Sequence, residues 1–260
     1  MIKKSLSKKL KNPILVAAWP GMGNVALKAA NYLREELSAQ EYGVIEPQDF
    51  FTLSTIFIHN GLIEKVKLPI SKFYYWKNEK GRNDLLIFTS ESQPISGKEI
   101  RFSNLILEVA KKEGVEKIIT FAAMSRSIDH HAKPSVWGTA TSPELLDQLK
   151  KLNLNILNEG YIGGLNGVFL GIAKESDFDG ICLLGEIPSY ATHIENPRAS
   201  LAVLEVFTKI TEISLDLSKL SALAEYMEKE IDHYLLQFKE QFSQKDLPDK
   251  EKDKGPPYVH

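Results

Sequence analysis

The sequence PILVAAWPGMGNVALKAANYLREEL, residues 13–37, decides the fold. Its apolar start, residues 13–19, has the length and composition of a short buried β-strand. Gly21 and Gly23 then interrupt the apolar run, and apolar residues resume at helical spacing from about Asn24. A run that stops at glycines and restarts with helical periodicity predicts a β-turn-α unit. We therefore expect an α/β protein in which further units lie beside this one.

Later segments repeat this alternation of strand and helix. Continuous apolar runs typical of strands buried in a parallel sheet occupy residues 84–89, 117–122 and 180–185, and a further candidate is 154–161. Helices are predicted in segments that end at Gly114, begin at Ser142-Pro143, follow Gly167, and extend from Asn196-Pro197 to Thr211. The Ser-Pro and Asn-Pro pairs indicate helix starts, because the polar residue caps the first turn and proline fits the first helical position.

A hairpin and a long loop interrupt the alternation. Asn60-Gly61 is a strong two-residue turn, which predicts an antiparallel hairpin of strands 52–58 and 62–68, followed by a strand at 72–76. Residues 124–141 show no clear period and predict a long irregular stretch. Loops of that length inside a compact domain are usually functional or mobile.

The composition excludes several classes of function. A formal net charge of −2 lacks the basic excess that neutralises phosphates, so neither nucleic acid nor a membrane surface is an expected partner. No apolar run reaches the roughly 18 residues of a spanning helix, and the basic start MIKKSLSKKLKN lacks the apolar core of a signal peptide. The single cysteine, Cys182, lies in the apolar run GICLLG and is expected to be a buried thiol in a reducing compartment. The expected location is cytoplasmic.

The composition also divides the chain into four parts. They are a flexible leader at 1–12, an α/β domain at 13–213, a long helix or helical extension at 214–242, and a disordered tail at 243–260. In the third part, apolar residues repeat at alternating steps of four and three, at Leu220, Ala224, Met227, Ile231, Tyr234 and Phe238. This stripe fits a helix packed on the body, and it also fits a helix that pairs with another subunit.

The glycine-rich turn at 21–26 invites a nucleotide-binding interpretation. Gly-Met-Gly-Asn-Val-Ala fits the looser dinucleotide fingerprint, and Glu46 or Asp49 lies at about the distance of the ribose-binding acid. The chain then enters a hairpin where a dinucleotide fold would continue with strand and helix. A turn that packs the helix on the sheet is therefore the favoured interpretation, and no cofactor is predicted.

A second glycine-rich turn, at 163–167, also precedes a predicted helix. Two such turns at the carboxyl ends of strands would share one crevice, which is the usual ligand position in open α/β sheets. Glycines at strand-to-helix corners are also common for steric reasons alone.

The polar residues give no catalytic set. Asp129-His130-His131 suggests a metal site, but adjacent histidines on a regular element point apart, so a solvated loop is favoured and no metal is predicted. His193 and Glu195 could act as a base and its orienting partner. Further acids that could assist are Glu91, Glu186 and Asp129. Without a G-x-S-x-G elbow or a cysteine in a polar setting, no nucleophile and no catalytic residue is predicted.

Five blocks in series resemble the proteasome assembly chaperone 2 family. They are WPGMGNVALKAANYL, DLLIFTSESQP, KIITFAAM, GGLNGVFLGIAKE and GICLLGEIPSYATHIENPRASLAVLE, within residues 13–211. The resemblance implies a three-layer α/β/α sandwich with a mostly parallel mixed sheet, similar to nucleoside phosphorylases and peptidyl hydrolases, and assembly into homo-oligomers. Eukaryotic and some archaeal relatives act as chaperones in building the proteasome α-ring.

The resemblance carries over no catalytic residue. Six residues match its blocks and would line the crevice: Gly21, Gly23, Asn24, Gly163, Gly164 and Asn166. Members that engage proteasomes can end in a hydrophobic residue, a tyrosine and any residue. Here the last three residues are Tyr258, Val259 and His260, so the tyrosine stands one place too early, which argues against docking through the tail.

Two functions of different class remain open. The first is a non-catalytic, oligomeric protein-binding module whose partners include proteasome-like subunits. The alternative is a small-molecule binder or an enzyme, a hydrolase or transferase that acts on a phosphorylated or nucleoside-like compound in the crevice. A scaffold should expose a large apolar patch and tolerate substitutions of Gly23 or Asn166 that leave folding intact, whereas an enzyme should gather convergent polar groups in a closed pocket.

Overall fold

An eight-stranded mixed sheet forms the centre of the computed structural model, which describes residues 9–53 and 56–245. In chain order the strands are β1 (Ile14–Ala18), β2 (Gln40–Ile45), β3 (Ile58–His59), β4 (Leu62–Ile63), β5 (Ser71–Trp76), β6 (Leu85–Ser90), β7 (Lys117–Arg126), β8 (Val136–Ala140), β9 (Asn155–Ile156) and β10 (Asp179–Pro188). The α-helices are α1 (Val25–Glu36), α2 (Glu99–Glu113), α3 (Pro143–Lys151), α4 (Leu165–Glu175), α5 (Pro197–Thr211) and α6 (Ser218–Lys245). Across the sheet the order is β2-β5-β6-β1-β7-β10-β8-β9, and β3 pairs with β4 in a separate hairpin.

The middle of the sheet is parallel. β6, β1, β7 and β10 run in one direction, while β5 pairs antiparallel with β6 and β8 pairs antiparallel with β10. The carboxyl ends of the four parallel strands therefore meet at one edge of the sheet. The turn that follows β1 and the turn that precedes α4 both lie at this edge.

The first strand is buried on both faces, which explains why its sequence is apolar without alternation. Ile14, Val16 and Ala18 belong to one core cluster, together with residues of α1 and α5. Leu15 and Ala17 belong to a second cluster on the opposite face, with residues of α2 and α4. Two cores separated by one sheet confirm the predicted three-layer α/β/α architecture with its helical C-terminus.

Several predicted helix boundaries agree with the structure, although Ser142 makes no side-chain cap at the start of α3 and α4 begins at Leu165 rather than after Gly167. Gly114 ends α2 in the left-handed conformation, at φ 79°. The Asn196 side chain accepts the Ala199 N–H at 2.9 Å and so caps α5, whose first residue is Pro197. Asn60 and Gly61 both have positive φ, as the hairpin turn between β3 and β4 requires.

The last helix, α6, begins four residues later than the predicted part and packs against α5. Leu220, Ala224 and Ile231 of the apolar stripe are buried against the body, whereas Tyr234 is exposed. At least the first half of the stripe therefore packs against the body of the same chain. The predicted tail at 243–260 lies outside the described residues from residue 246 onward.

Three predicted segments differ from the structure. The irregular stretch at 124–141 contains the end of β7 and all of β8, because β10 extends far enough to pair with both strands. The hairpin strands contain two residues each, far fewer than the predicted 52–58 and 62–68. The strand predicted at 154–161 is reduced to β9, which pairs only with two residues of β8.

The described part of the predicted leader is attached to the body. Leu10 is buried, and the Lys11 N–H donates to the Asp84 carboxylate at 2.7 Å, so residues 9–12 form part of the domain. Residues 1–8 lie outside the described residues. Within the described residues, no helix is long and apolar enough to cross a membrane. Cys182 is fully buried, and this burial raises the pKa of its thiol to about 12, in agreement with an unreactive core cysteine.

Candidate functional site

The two glycine turns line one cleft at the carboxyl edge of the parallel strands. The cleft has a volume of about 590 Å³, and Gly21, Gly163, Gly164 and Asn166 are among its lining residues. The remaining walls include Pro20, Met22, Gln93, Tyr161, Ile162 and Val168. The structure thus brings together four of the six residues predicted for a shared crevice.

Asn166 joins the two turns through its side-chain amide. Its Oδ1 accepts the Trp19 N–H at 2.9 Å, and its Nδ2 donates to the Trp19 carbonyl oxygen at 2.9 Å. Asn166 and Trp19 are both buried, so water cannot replace either bond. The Asn166 amide therefore makes the two backbone hydrogen bonds that a neighbouring strand would otherwise make to Trp19, the residue that follows β1. Both of its polar atoms are occupied within the protein.

Gln93 makes a second bridge between the same turns. Its Nε2 donates to the Pro20 carbonyl oxygen at 2.8 Å, and its Oε1 accepts the Leu165 N–H at 3.0 Å, at the first residue of α4. Gly164 has φ 67°, and a Cβ there would lie 3.1 Å from Gln93 Nε2. The glycine is required by both its backbone conformation and this close approach.

The other two predicted crevice residues, Gly23 and Asn24, face the opposite side of the turn. The Gly23 N–H donates to the Thr192 carbonyl oxygen at 2.8 Å, and the Gly23 carbonyl accepts the Asn196 N–H at 2.8 Å. Asn24 Nδ2 donates to Glu195 at 3.1 Å. These contacts attach the first turn to the loop before α5. They also occupy the Gly23 amide that a phosphate at this turn would need.

The chemistry available in the cleft is limited. Among its described lining residues, the ionisable side chains are Glu99 and Tyr161. Glu99 accepts the Gly97 N–H at 2.7 Å, and Tyr161 is fully exposed. The amides of Asn166 and Gln93 are already paired. The lining therefore contains no base positioned beside a nucleophile.

The acids considered for catalysis have separate structural partners. Glu195 forms an ion pair with Lys28 at 2.9 Å, while His193 is exposed. Glu186 accepts hydrogen bonds from the Trp137 indole at 2.7 Å and the Ser135 N–H at 3.1 Å. Two other acids bind backbone amides: Glu91 accepts the Ile70 N–H, and Asp129 accepts the His131 N–H. Glu195 therefore pairs with Lys28 rather than acting as the orienting partner of His193.

The expectation of a solvated loop at Asp129-His130-His131 is wrong for its central residue. His130 is buried, and its imidazole bonds to Tyr190 on one side and to Asp232 of α6 on the other. The cause is the packing of α6 over this turn, a contact between residues more than a hundred positions apart in the sequence.

An exposed apolar arm begins at the same edge of the sheet as the cleft. We use this name for residues 56–70, which contain β3, β4 and the segment leading to β5. Ser71, the first residue of β5, pairs with Ser90 at the carboxyl end of β6, which fixes the edge from which the arm leaves. Seven of its large apolar side chains are exposed, namely Ile56, Phe57, Ile58, Leu62, Ile63, Val66 and Ile70, whereas Leu68 packs against the core. Leu62 and Ile63 retain 72% and 70% of their accessible surface.

The family is established by comparison with known proteins. A family model described as the PAC2 family matches residues 15–235, which is most of the chain. The chain belongs to the PAC2 family. The resemblance to proteasome assembly chaperone 2 proteins that the sequence blocks indicated is thereby confirmed.

Relatives of this PAC2 protein include two uncharacterised proteins of Methanocaldococcus jannaschii. MJ1210 is 28% identical over 225 residues, covering 86% of this chain and 83% of the relative. MJ0106 is 25% identical over 230 residues, covering 85% of this chain and 84% of the relative.

Solved structures of similar fold include two proteins of Pyrococcus furiosus. PbaB, described as an archaeal proteasome activator, superimposes with a TM-score of 0.76 at 26% identity, covering 90% of this chain and 98% of that chain. PbaA, described as an archaeal homolog of proteasome-assembly chaperone, gives 0.69 at 26% identity, covering 92% and 94%. The Mycobacterium tuberculosis homologue Rv2125 shares the fold, with a TM-score of 0.71 at 20% identity over 85% and 94% of the two chains.

The apolar arm is the feature of this PAC2 protein that sequence reasoning missed. The hairpin turn was predicted, but the exposure of its apolar side chains was not. A signal was available in IFIHNGLIEKV, where apolar residues occupy adjacent positions and therefore both faces of each strand. A two-stranded ribbon with both faces apolar can bury them only against another body.

Proposed function

We propose that this PAC2 protein is a non-catalytic protein-binding module that assembles with further copies of itself and with proteasome-type subunits through the apolar arm. The observation that carries this proposal is the exposure of the arm's large apolar side chains. Contiguous exposed apolar surface of this kind marks interaction sites in soluble proteins. The similarity to PbaB, a proteasome activator, and to PbaA, a homolog of proteasome-assembly chaperone, supports the choice of partner class.

The short hairpin of the arm is also of a kind that gains stability from contact with a partner. An isolated two-stranded hairpin is marginal in water, and β3 and β4 have only two residues each to stabilise it. Docking would bury side chains such as Phe57, Leu62 and Ile63, each worth about 1.5–3 kcal/mol when fully removed from water. The cleft at the same edge of the sheet also exposes apolar side chains, Met22 and Val168.

Replacing the arm's apolar residues should abolish assembly. In the triple variant Phe57→Thr, Leu62→Thr, Ile63→Thr, threonine retains strand propensity while the apolar surface is lost. We expect self-association and capture of purified archaeal proteasome core particles each to weaken about 100-fold or more, given the transfer free energies above. Sedimentation velocity measures the first interaction, and biolayer interferometry measures the second. The far-UV circular dichroism of the variant should match that of the unmodified chain.

A matched control removes three large, exposed side chains from α6. Tyr226, Tyr234 and Leu236 have exposures of 57%, 58% and 57%, and glutamine at these positions preserves helix propensity. The control variant should assemble and capture core particles normally. Normal behaviour of the arm variant, or failure of the α6 variant instead, would remove the arm as the contact surface.

The second candidate function is small-molecule binding in the cleft. It is favoured by the convergence of both glycine turns on one concave site whose volume lies within the usual range for ligand pockets. Gly163 has space around it and no positive φ, so Gly163→Leu would fill the cleft without backbone strain.

Thermal-shift measurements with inorganic phosphate, nucleosides and nucleotides test this candidate. A ligand present at 100 times its Kd should stabilise the unmodified chain by about 2.7 kcal/mol and have no effect on Gly163→Leu. If no compound stabilises the unmodified chain, or if the shift persists in Gly163→Leu, the cleft is not the ligand site. The assembly assays of the arm variant are independent of this outcome.

A further inference from the structure

Two histidines and one aspartate converge where α6 crosses the turn at 129–131. His130 Nε2 lies 2.9 Å from Asp232 Oδ1. His131 Nε2 lies 3.2 Å from the same oxygen and 3.1 Å from Oδ2. The two imidazole rings are near neighbours, with centroids 4.2 Å apart and planes inclined by 38°. Because the turn is neither helix nor strand, these adjacent histidines do not point apart, and both present Nε2 to one carboxylate.

The opposite side of each imidazole has a partner of its own. His130 Nδ1 lies 2.8 Å from the Tyr190 hydroxyl, which also accepts the His130 backbone N–H at 3.0 Å. His131 Nδ1 lies 3.8 Å from a Glu228 carboxylate oxygen. Glu228 is in turn held by Arg198 of α5 at 2.6 Å. The Tyr190 hydrogen bond orients the His130 ring with Nε2 directed at Asp232, while Glu228 faces His131 Nδ1 at ion-pair distance.

We propose that His130 Nε2, His131 Nε2 and Asp232 form a binding site for a transition-metal ion of the zinc class, which ties α6 to the body. The three side chains supply two imidazole nitrogens and one carboxylate, which leaves a fourth tetrahedral position for water. Imidazole ligands select zinc, cobalt or nickel over magnesium and calcium, which prefer oxygen.

The nitrogen-to-oxygen spacings suit such an ion. In a tetrahedral site with bonds of about 2.0–2.1 Å, neighbouring ligand atoms lie about 3.3 Å apart. The nitrogen-to-oxygen distances here, 2.9–3.2 Å, are a few tenths of an ångström shorter, so small side-chain rotations would admit the ion. Tyr190 occupies the position of the hydrogen-bond acceptor that orients a metal-bound imidazole through its second N–H, and Glu228 lies near the corresponding nitrogen of His131.

Asp129 offers a less suitable alternative carboxylate. One ligand atom from each of Asp129, His130 and His131 can be chosen so that all three lie within 4.8 Å of one another. However, Asp129 Oδ1 already accepts the His131 N–H at 2.8 Å and lies 4.0 Å from His130 Nδ1. Asp232 is closer to both rings and is therefore assigned as the ligand.

The site predicts stoichiometric metal binding by the full-length, tag-free chain. After treatment with a chelator and its removal, titration with zinc chloride in a calorimeter should give one high-affinity ion per chain. Cobalt(II) should give the intense visible absorption bands of a four-coordinate site and be displaced by zinc. His131→Gln and Asp232→Asn should each weaken zinc binding about 100-fold or more, because removing a ligand costs at least as much as removing a residue that orients one.

The control is His233→Gln on the same helix, where the side chain is exposed. It should bind zinc like the unmodified chain. Near-UV circular dichroism establishes that each variant remains folded; His131 and Asp232 are both about half exposed, so either variant alone can decide the test if the other fails to fold. Absence of saturable zinc uptake overturns the proposal. So does uptake that both ligand variants retain, or that His233→Gln abolishes.

Discussion

Asn166→Ala is expected to reduce the free energy of unfolding by about 2–6 kcal/mol, because it leaves two buried backbone groups without partners. The N–H and carbonyl of Trp19 each bond to the Asn166 side chain at 2.9 Å, and Trp19 is fully buried. Each unsatisfied group costs about 1–3 kcal/mol in desolvation. No neighbouring strand can replace the lost bonds, since β1 ends at Ala18.

Urea denaturation followed by circular dichroism measures this loss. Asn104→Ala is the matched control, since Asn104 is exposed on α2 and alanine there has a higher helix propensity. The control should be neutral or slightly stabilising. Asn166→Asp should fail to restore stability, because a carboxylate accepts the Trp19 N–H but cannot donate to its carbonyl, and it buries a charge. A loss below about 1 kcal/mol for Asn166→Ala would show that these bonds are not needed to hold the turns together.

This role of Asn166 changes how the two candidate functions are distinguished. A scaffold was expected to tolerate those substitutions at Gly23 or Asn166 that leave folding intact. However, Gly23 has φ 58°, and a Cβ there would lie 3.2 Å from Asn196 Cβ. Both residues are therefore structurally required whatever the function is, and loss of folding in their variants would say nothing about a ligand. Arm variants and Gly163→Leu separate the candidates because they alter exposed surface.

The fold was predictable from sequence wherever the burial or the end of a strand or helix is visible in its own residues. The strands β1, β6 and β10 are apolar because both faces are covered, and Gly114 and Asn196 cap the ends of α2 and α5 as their residue types predict. The short strand β8 was missed because it owes its place to pairing with β10. Its Gly138 makes room for Leu149, since a Cβ there would lie 2.9 Å from Leu149 Cδ1.

The candidate sites were less predictable because they depend on contacts between distant residues. Glycine spacing correctly suggested that the two turns meet at one edge, but it could not tell which face of the first turn Gly23 and Asn24 would present. The convergence of His130 with Asp232 depends on where α6 packs. Local periodicity describes α6 as a helix with an apolar stripe and contains no information about the turn beneath its polar face.

Gly185→Ala and Gly171→Ala, which make the same chemical change, should alter stability in opposite directions. Gly185 of β10 lies against the start of α5, where a Cβ would stand 2.9 Å from the Ala199 carbonyl oxygen and 3.1 Å from Ala199 Cβ. Neither atom is the end of a flexible side chain, so strand and helix must separate. Gly171 is exposed in α4, with no atom within 4 Å of the added methyl group.

For Gly185→Ala we expect a loss of about 3 kcal/mol, the upper end of the usual cost of overpacking. This corresponds to a fall in Tm of about 6–12 °C for a chain of this size. Gly171→Ala should gain about 0.5–1 kcal/mol, because alanine loses less backbone entropy than glycine in a helix. Calorimetric melting of both variants under identical conditions measures the difference. If Gly185→Ala leaves the stability unchanged, α5 can move away from β10 at no cost in free energy. The close packing of α5 on the sheet would then not explain the positions of Asn196 and Arg198 at the edge.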